Sequence, residues 1–290
     1  MHEKADYSQA SRTPLIGSPW SFFIFVLCWT WFFWILAGVQ GISAHSALGI
    51  ALVVVGLLGP MLGGIGFTYL TQDTEGWREY WSRIVDPKRI PARWYLAIFL
   101  FVPCLMAIAL LLDIAVNGNA VLAQIGKRVS PFIATPFTVV PFLLRVVIYG
   151  PFPEELGWRG YVLDRLQAKW NALISSLILG AVWALWHLPL FYIKDMNPHY
   201  SQGAWSLWFW LFMVEVVSTA VIYTWIFNNT RRSTLAAILF HFLSNITAEL
   251  TNATTGTNFY ATPLWIIAAV VVVTLWGATT LTRHEHASAR

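Results

Sequence analysis

The sequence predicts an all-α polytopic membrane protein of about eight transmembrane helices, with a polar cavity inside the helix bundle. Three observations carry that expectation. Only 11% of the 290 residues are charged and 57% are apolar, whereas a soluble domain of this length carries about a quarter charged residues to solvate its surface. Uncharged apolar stretches long enough to cross about 30 Å of hydrocarbon recur along the whole chain. The few basic residues fall into loops that alternate with those stretches in a strongly one-sided way.

The expected spans are residues 19–41, 45–70, 94–116, 137–158, 171–193, 205–228, 232–250 and 262–282, forming one integral domain over 1–290 with a motif-bearing core at about 137–250. The polar residues 1–18 lack a cleavable-signal pattern, and the first apolar run is long enough to span. An even number of spans places both termini on one side. That side collects Lys4, Arg12, Arg78, Arg83, Lys88, Arg89, Arg93, Arg159, Arg165, Lys169, Arg231, Arg232, Arg283 and Arg290, while the other receives Lys127, Arg128 and Lys194. The positive-inside rule then puts both termini in the cytoplasm, with the chain integral to the plasma membrane.

Several functions are excluded early. Basic residues are spread over loops rather than gathered on one face, so the sequence offers no nucleic-acid surface. Cys28 and Cys104 lie inside apolar runs and suggest neither a disulfide framework nor a thiolate metal site. The second span contains "GPMLGGIG" (59–66), which follows no strand and reads as a small-residue face for close helix packing. The 71–93 loop mixes both charge signs with Trp77, Tyr80 and Trp81, as an amphipathic segment at the lipid interface or a solvated connector does.

Ionisable residues inside spans are costly and therefore mark candidate sites. They are Asp113, Arg145, Glu154, Glu155, Arg159, His187, Glu215, His241 and Glu249. Asp113 and Glu249 fall near span ends, where interfacial water is expected to solvate them. Arg145 and Glu215 lie deeper, as a structural pair or as cavity lining. The stretch "GPFPEELGWRGYVLDRL" (150–166) stands apart. Pro153 suits the first position of a new helix, whose first turn then holds Glu154 and Glu155 beside unsatisfied N–H groups. Arg159 follows Glu155 by four residues and is expected to pair with it. Glu154 points about 100° away on the same helix, free to face another partner.

Two other spans supply that partner. "WALWHLP" carries His187 with Trp183 one turn before it, and "HFLSN" carries His241 with Asn245 one turn after it. At a rise of 1.5 Å per residue, His187 lies about 24 Å, Glu154 about 22 Å, His241 about 14 Å and Asn245 about 20 Å from the same membrane face, depths compatible with a shared layer. A carboxylate and two imidazoles in a low-dielectric cavity permit two chemistries. Glu154, His187 and His241 can hold a divalent metal such as zinc with a position left for water. Alternatively, Glu154 acts as general base with His187 orienting the water. In both, His241 and Asn245 are available to hydrogen-bond an oxyanion. Hydrolysis of a peptide bond within the bilayer follows from either. HExxH, GxSG and GxGD motifs are absent from the sequence.

Glu154-Glu155-xxx-Arg159, an aromatic-xxx-His187 and His241-xxx-Asn245, in that order on successive membrane helices, resemble the CAAX prenyl protease and bacteriocin-processing family of intramembrane proteases. The resemblance covers about residues 137–250, with one departure, Trp183 where the family usually has Phe. It implies an intramembrane endopeptidase that cuts near the C-terminus of a membrane-associated protein or peptide. By matched position, Glu154 and His187 would activate water, His241 and Asn245 would stabilise the oxyanion or assist a metal, and Arg159 would orient the glutamates. Trp183 would line the substrate cavity. The competing expectation is a non-catalytic membrane scaffold or bacteriocin-immunity protein that keeps the fold.

Overall fold

A computed structural model describes residues 17–196, 203–251 and 255–283. Eight stretches are long and apolar enough to cross a membrane: Pro19–Val39, Ala47–Thr71, Ala92–Asn117, Pro136–Gln167, Ala172–Tyr192, Leu207–Asn229, Thr234–Thr251 and Gly256–Trp276. The all-α polytopic expectation is borne out, and the described residues contain no strand, only an isolated bridge between Ser43 and Lys194. Lys4, Arg12 and Arg290 lie outside the described residues.

The helices are α1 (Pro19–Val39), α2 (Ala47–Leu57), α3 (Gly59–Thr71), α4 (Thr74–Val85), α5 (Ala92–Asn117), α6 (Asn119–Ala134), α7 (Val139–Ile148), α8 (Pro151–Gly157), α9 (Leu163–Gln167), α10 (Ala172–Trp186), α11 (Leu207–Asn229), α12 (Thr234–Thr251) and α13 (Thr255–Trp276). The second span is two helices because Pro60 seats a fresh helical start after Leu58. The last span sits about six residues earlier than expected. Gly277, at φ 79°, closes it just after Trp276, and Pro263 is carried inside the helix rather than opening it. Helix α6 was not anticipated by the span reading; it lies between the third and fourth spans and buries Val121.

The fourth span also differs from expectation. It runs through residue 167, and its second helix opens at Pro151, two residues before the expected start. Both prolines fit the first turn, where N–H groups have no intrahelical acceptor to lose. Gly150 is the N-cap, and the Glu154 N–H already donates to Gly150 O at 3.0 Å. Glu154 keeps its expected place in the first turn, though its own N–H is satisfied, and Glu155 falls in the second.

The small-residue face of α3 does pack closely, as its composition suggests. A Cβ on Gly64 would lie 2.4 Å from Leu156 O, and one on Gly157 would lie 2.4 Å from Pro60 O. Lipid supplies no hydrophobic drive for helices to associate, so this backbone-to-backbone approach holds α8 in place by packing. The amphipathic reading of the 71–93 loop also holds, with one revision. Helix α4 turns Tyr80, Arg83 and Ile84 into the protein, so it is docked on the bundle rather than resting on lipid alone. Gly64→Leu is expected to push α3 off α8 at a cost of about 1–3 kcal/mol, read as a lower thermal midpoint in detergent, with Gly66→Leu, whose Cβ meets nothing within 4 Å, as the neutral control.

Candidate active site

Glu155 and Arg159 are both fully buried, and Arg159 Nη1 donates to Glu155 Oε1 at 3.0 Å and Oε2 at 3.1 Å. The expected pair is thus formed. The guanidinium carbon lies 4.7 Å from the Trp183 ring centroid and 4.2 Å from that of Tyr223, so two π faces take the place of solvent around the cation. On its other side Glu155 Oε1 accepts from His241 Nδ1 at 2.9 Å. An ionised carboxylate only accepts, so this bond puts the Nδ1 proton on His241 and turns Nε2 towards the cavity.

Glu154 is held separately. Trp183 Nε1 donates to Glu154 Oε2 at 2.6 Å, which leaves Oε1 for another partner. His187 closes α10, where its Nδ1 donates to the Trp183 carbonyl one turn back at 2.7 Å. Because a carbonyl only accepts, the His187 proton also sits on Nδ1 and Nε2 presents a lone pair. Trp186 and Phe212 meet the His187 ring edge-on at 4.7 and 5.2 Å, which fixes its plane.

These groups converge. Glu154, Trp183, His187, Tyr223, His241 and Asn245 line one cavity of about 1010 Å³. Gly150 marks where three polar atoms approach one another. A Cβ built there would lie 3.1 Å from Asn245 Nδ2, 3.4 Å from Glu154 Oε1 and 3.9 Å from His241 Nε2. A carboxylate oxygen, an amide donor and an imidazole nitrogen thus surround a space of about one atom, the geometry a reacting atom requires. Sequence reasoning missed Gly150, whose only signal is a glycine immediately before a Pro-x-Pro helix start.

For Arg145 and Glu215 the cavity-lining alternative holds, whereas the reading of Asp113 is revised. Glu215 lines the cavity, with Thr262 Oγ1 donating to its Oε2 at 3.0 Å. Arg145 also lines it and pairs with Glu249. Asp113 is not solvated at an interface. It is fully buried, accepting from Asn117 Nδ2 at 2.6 Å and Thr257 Oγ1 at 2.5 Å. Trp183, expected to bind substrate, lines the cavity but commits its indole N–H to Glu154.

The donor types for a metal are present, since Glu154 Oε1 and two Nε2 atoms face the cavity with each Nδ1 engaged elsewhere. Their spacing does not match. Among the described residues, no three His, Cys, Asp or Glu side chains are grouped to hold an ion. As placed, these donors are not gathered around a common point for a divalent metal such as zinc.

Helix α4 supports the site from outside the membrane spans. A π turn over Trp158–Val162 widens the chain just after the glutamates, and such turns disturb the regular backbone bonding. Tyr80 Oη donates to Leu156 O at 3.1 Å, and Arg83 Nη2 donates to Arg159 O at 2.9 Å and Gly160 O at 3.2 Å. Burial raises the Tyr80 pKa, the nearby Arg83 offsetting this only in part, so the hydroxyl keeps its proton and remains a donor. Arg83 Nη1 and Arg232 Nη2 each reach Asp164 at 2.5 Å, joining α4, α9 and the start of α12. Sequence reasoning counted Arg83 and Arg232 only as topological charges and did not connect them to the site.

The fold and the site together define a polytopic α-helical membrane protein with a cavity lined by Glu, His and Asn side chains from its spans. Comparison with known proteins narrows the class. Residues 136–247 match the family described as type II CAAX prenyl endopeptidase Rce1-like. The chain is also 28% identical over 259 residues to the CAAX prenyl protease 2 of Methanococcus maripaludis, an alignment covering 88% of this chain and 93% of that protein. The resemblance read from the three motifs is borne out by both.

Arg159→Ala is expected to strand the buried Glu155 carboxylate and cost about 3–5 kcal/mol, measured as loss of thermal stability in detergent. Arg159→Lys should recover only part of it, because an ammonium cannot reproduce the planar contact with Trp183 and Tyr223.

Proposed function

We propose that this protein is an intramembrane CAAX-type endopeptidase that hydrolyses a peptide bond near the C-terminus of a membrane-associated protein or peptide, with Glu154 as general base. The observation that carries the reading is the convergence of Glu154 Oε1, Asn245 Nδ2 and His241 Nε2 around the space above Gly150. Support comes from the family match over 136–247 and from the relative, which is named a CAAX prenyl protease.

The steps follow from the atoms available. Glu154 Oε1 takes a proton from water as the water oxygen attacks the scissile carbonyl carbon, and His187 Nε2 accepts a hydrogen bond from the same water. The carbonyl oxygen becomes an oxyanion, which Asn245 Nδ2 meets as a preorganised donor. With its proton on Nδ1 facing Glu155, neutral His241 offers Nε2 only as an acceptor, so the oxyanion contact expected of it requires a second ring proton. Glu154 then returns the proton to the amide nitrogen as the carbon–nitrogen bond breaks. Trp183 and the Arg159–Glu155 pair act by positioning, since they hold Glu154 and His241 rather than meeting substrate.

Glu154→Gln, nearly isosteric, is expected to lower cleavage of a prenylated peptide at least about 100-fold in detergent or nanodiscs, the usual worth of a general base. Gly150→Ala should do the same by placing a methyl 3.1 Å from Asn245 Nδ2. Unchanged cleavage by either variant contradicts the mechanism, and an unchanged cellular phenotype for Glu154→Gln would favour a non-catalytic scaffold.

We further propose that both termini face the cytoplasm of the plasma membrane, as the charge bias suggests. The cavity's outer lining, His45, Gln124, Arg128 and Asp195, comes from the connections after the first, third and fifth spans, the face away from the termini. In a chain with Cys28 and Cys104 replaced, a membrane-impermeant thiol reagent should label His45→Cys on intact cells and spare Arg78→Cys. The converse pattern would invert the protein and present the cavity to the cytoplasm.

A further inference from the structure

Outside the cavity, the α4–α5 and α11–α12 connections meet at a cluster of cations. Arg89 Nη1 donates to Arg231 O at 3.2 Å, and Arg231 Nη1 donates to Lys88 O at 3.4 Å. Around this junction Arg83, Lys88, Arg89, Arg231 and Arg232 stand against three carboxylates. Glu79 pairs with Arg89, Asp164 is shared by Arg83 and Arg232, and Asp86 Oδ1 accepts from the Lys88 backbone N–H at 2.9 Å. Positive charge is in excess, and the Nε atoms of Arg83 and Arg89 are buried donors without an acceptor. Lys88 and Arg231 are exposed, and among the described residues no carboxylate pairs with either side chain. Arg231 and Arg232 have φ of 51° and 57°, a region that residues other than glycine enter under strain. The strained turn seats Arg232 on Asp164 and leaves Arg231 exposed.

We propose that this junction binds the headgroup of an anionic phospholipid, with Lys88 and Arg231 as its cations from two separate connections. Its level in the bilayer argues for lipid. Lys88 stands four residues before the span that opens at Ala92, and Arg231 lies between the span ending at Asn229 and the one opening at Thr234. Both cations therefore sit where span ends meet the headgroup layer, in which anionic lipid attracts Lys and Arg. An apolar track runs from the cluster into the hydrocarbon. Tyr95 Oη donates at 3.3 Å to the carbonyl of Pro87, the neighbour of Lys88. The Tyr95 and Phe99 rings stack with centroids 6.3 Å apart, and Phe99 is 43% exposed. The phosphate meets the cations while an acyl chain follows the Tyr95–Phe99 face, a combination that a free phosphate ion lacks. Binding ties together two elements that serve the cavity: α4, whose Arg83 donates to Arg159 O, and α12, which carries His241. The headgroup is thus a clamp across them, and this inference does not rest on the peptidase reading.

The test titrates the full chain in detergent with phosphatidylglycerol or phosphatidylcholine, reading bound lipid by native mass spectrometry and the thermal midpoint in parallel. Phosphatidylglycerol is expected to bind about 25-fold more tightly, the worth of two cations beside an anionic headgroup, and to raise the midpoint. Lys88→Gln and Arg231→Gln should each weaken it about fivefold and shrink the rise, with little change in the midpoint when phosphatidylglycerol is absent. Arg78→Gln, which removes an exposed cation of α4 outside the cluster, should leave the affinity unchanged. An equal loss from Arg78→Gln would reduce the effect to diffuse surface attraction and overturn the site. Equal binding of the two lipids, or full phosphatidylglycerol affinity in the protein carrying both Lys88→Gln and Arg231→Gln, overturns it as well. Binding that leaves the midpoint unmoved contradicts the clamp. Soluble glycerol phosphate competing as strongly as phosphatidylglycerol would assign the cluster to free phosphate and overturn the lipid site.

Discussion

The site depends on a charge pair placed where charges are most expensive. Glu155 and Arg159 have no exposed side-chain surface, and moving such ions from water into a low-dielectric interior costs several kcal/mol each. The protein offsets part of that cost with contacts on every side of the pair, although Arg159 Nε and Nη2 have no hydrogen-bond partner. Both carboxylate oxygens accept from Arg159, the guanidinium lies against Trp183 and Tyr223, and Glu155 also receives His241 Nδ1. Stability and site geometry are therefore the same interaction. Removing Glu155 would release the His241 ring, and removing Arg159 would loosen the packing of Trp183, the residue that holds Glu154.

The pair in turn needs a backbone held still on both sides. Within the membrane, α3 and α8 approach so closely that glycine is required at 64 and 157. On the terminal side, α4 binds the carbonyls around the π turn through Tyr80 and Arg83. The helix that looks like an interfacial appendage is thus bonded directly to the turn carrying Arg159. A reaction site 1 Å out of register loses much of its rate, which gives the cost of these contacts a functional counterpart.

Much of this arrangement was legible in the residues. Apolar run lengths defined the spans, four-residue spacing foretold the Glu155–Arg159 pair, and the rarity of intramembrane charge singled out Glu154, His187 and His241. What escaped was set by three-dimensional neighbours. Gly150 matters for the Cβ it lacks, and only the approach of Asn245, Glu154 and His241 reveals that. Tyr223 is one of many aromatics in the chain until the guanidinium is found against it. Asp113 was read as interfacial from its position along the helix, but Thr257, 144 residues later, folds back to satisfy it. The start of α8 was misplaced by two residues because two prolines in one first turn are equally acceptable to local rules.

The central claim is that a water molecule sits in the cavity between Glu154 and His187, beside the space above Gly150 that Glu154, Asn245 and His241 enclose. An experimental structure of the unsubstituted protein in lipid nanodiscs, at a resolution that shows ordered solvent, tests it most directly. The account predicts a water within hydrogen-bonding distance of Glu154 Oε1 and His187 Nε2. A lipid tail or packed side chains filling that space, with Glu154 turned away from Asn245, would contradict it.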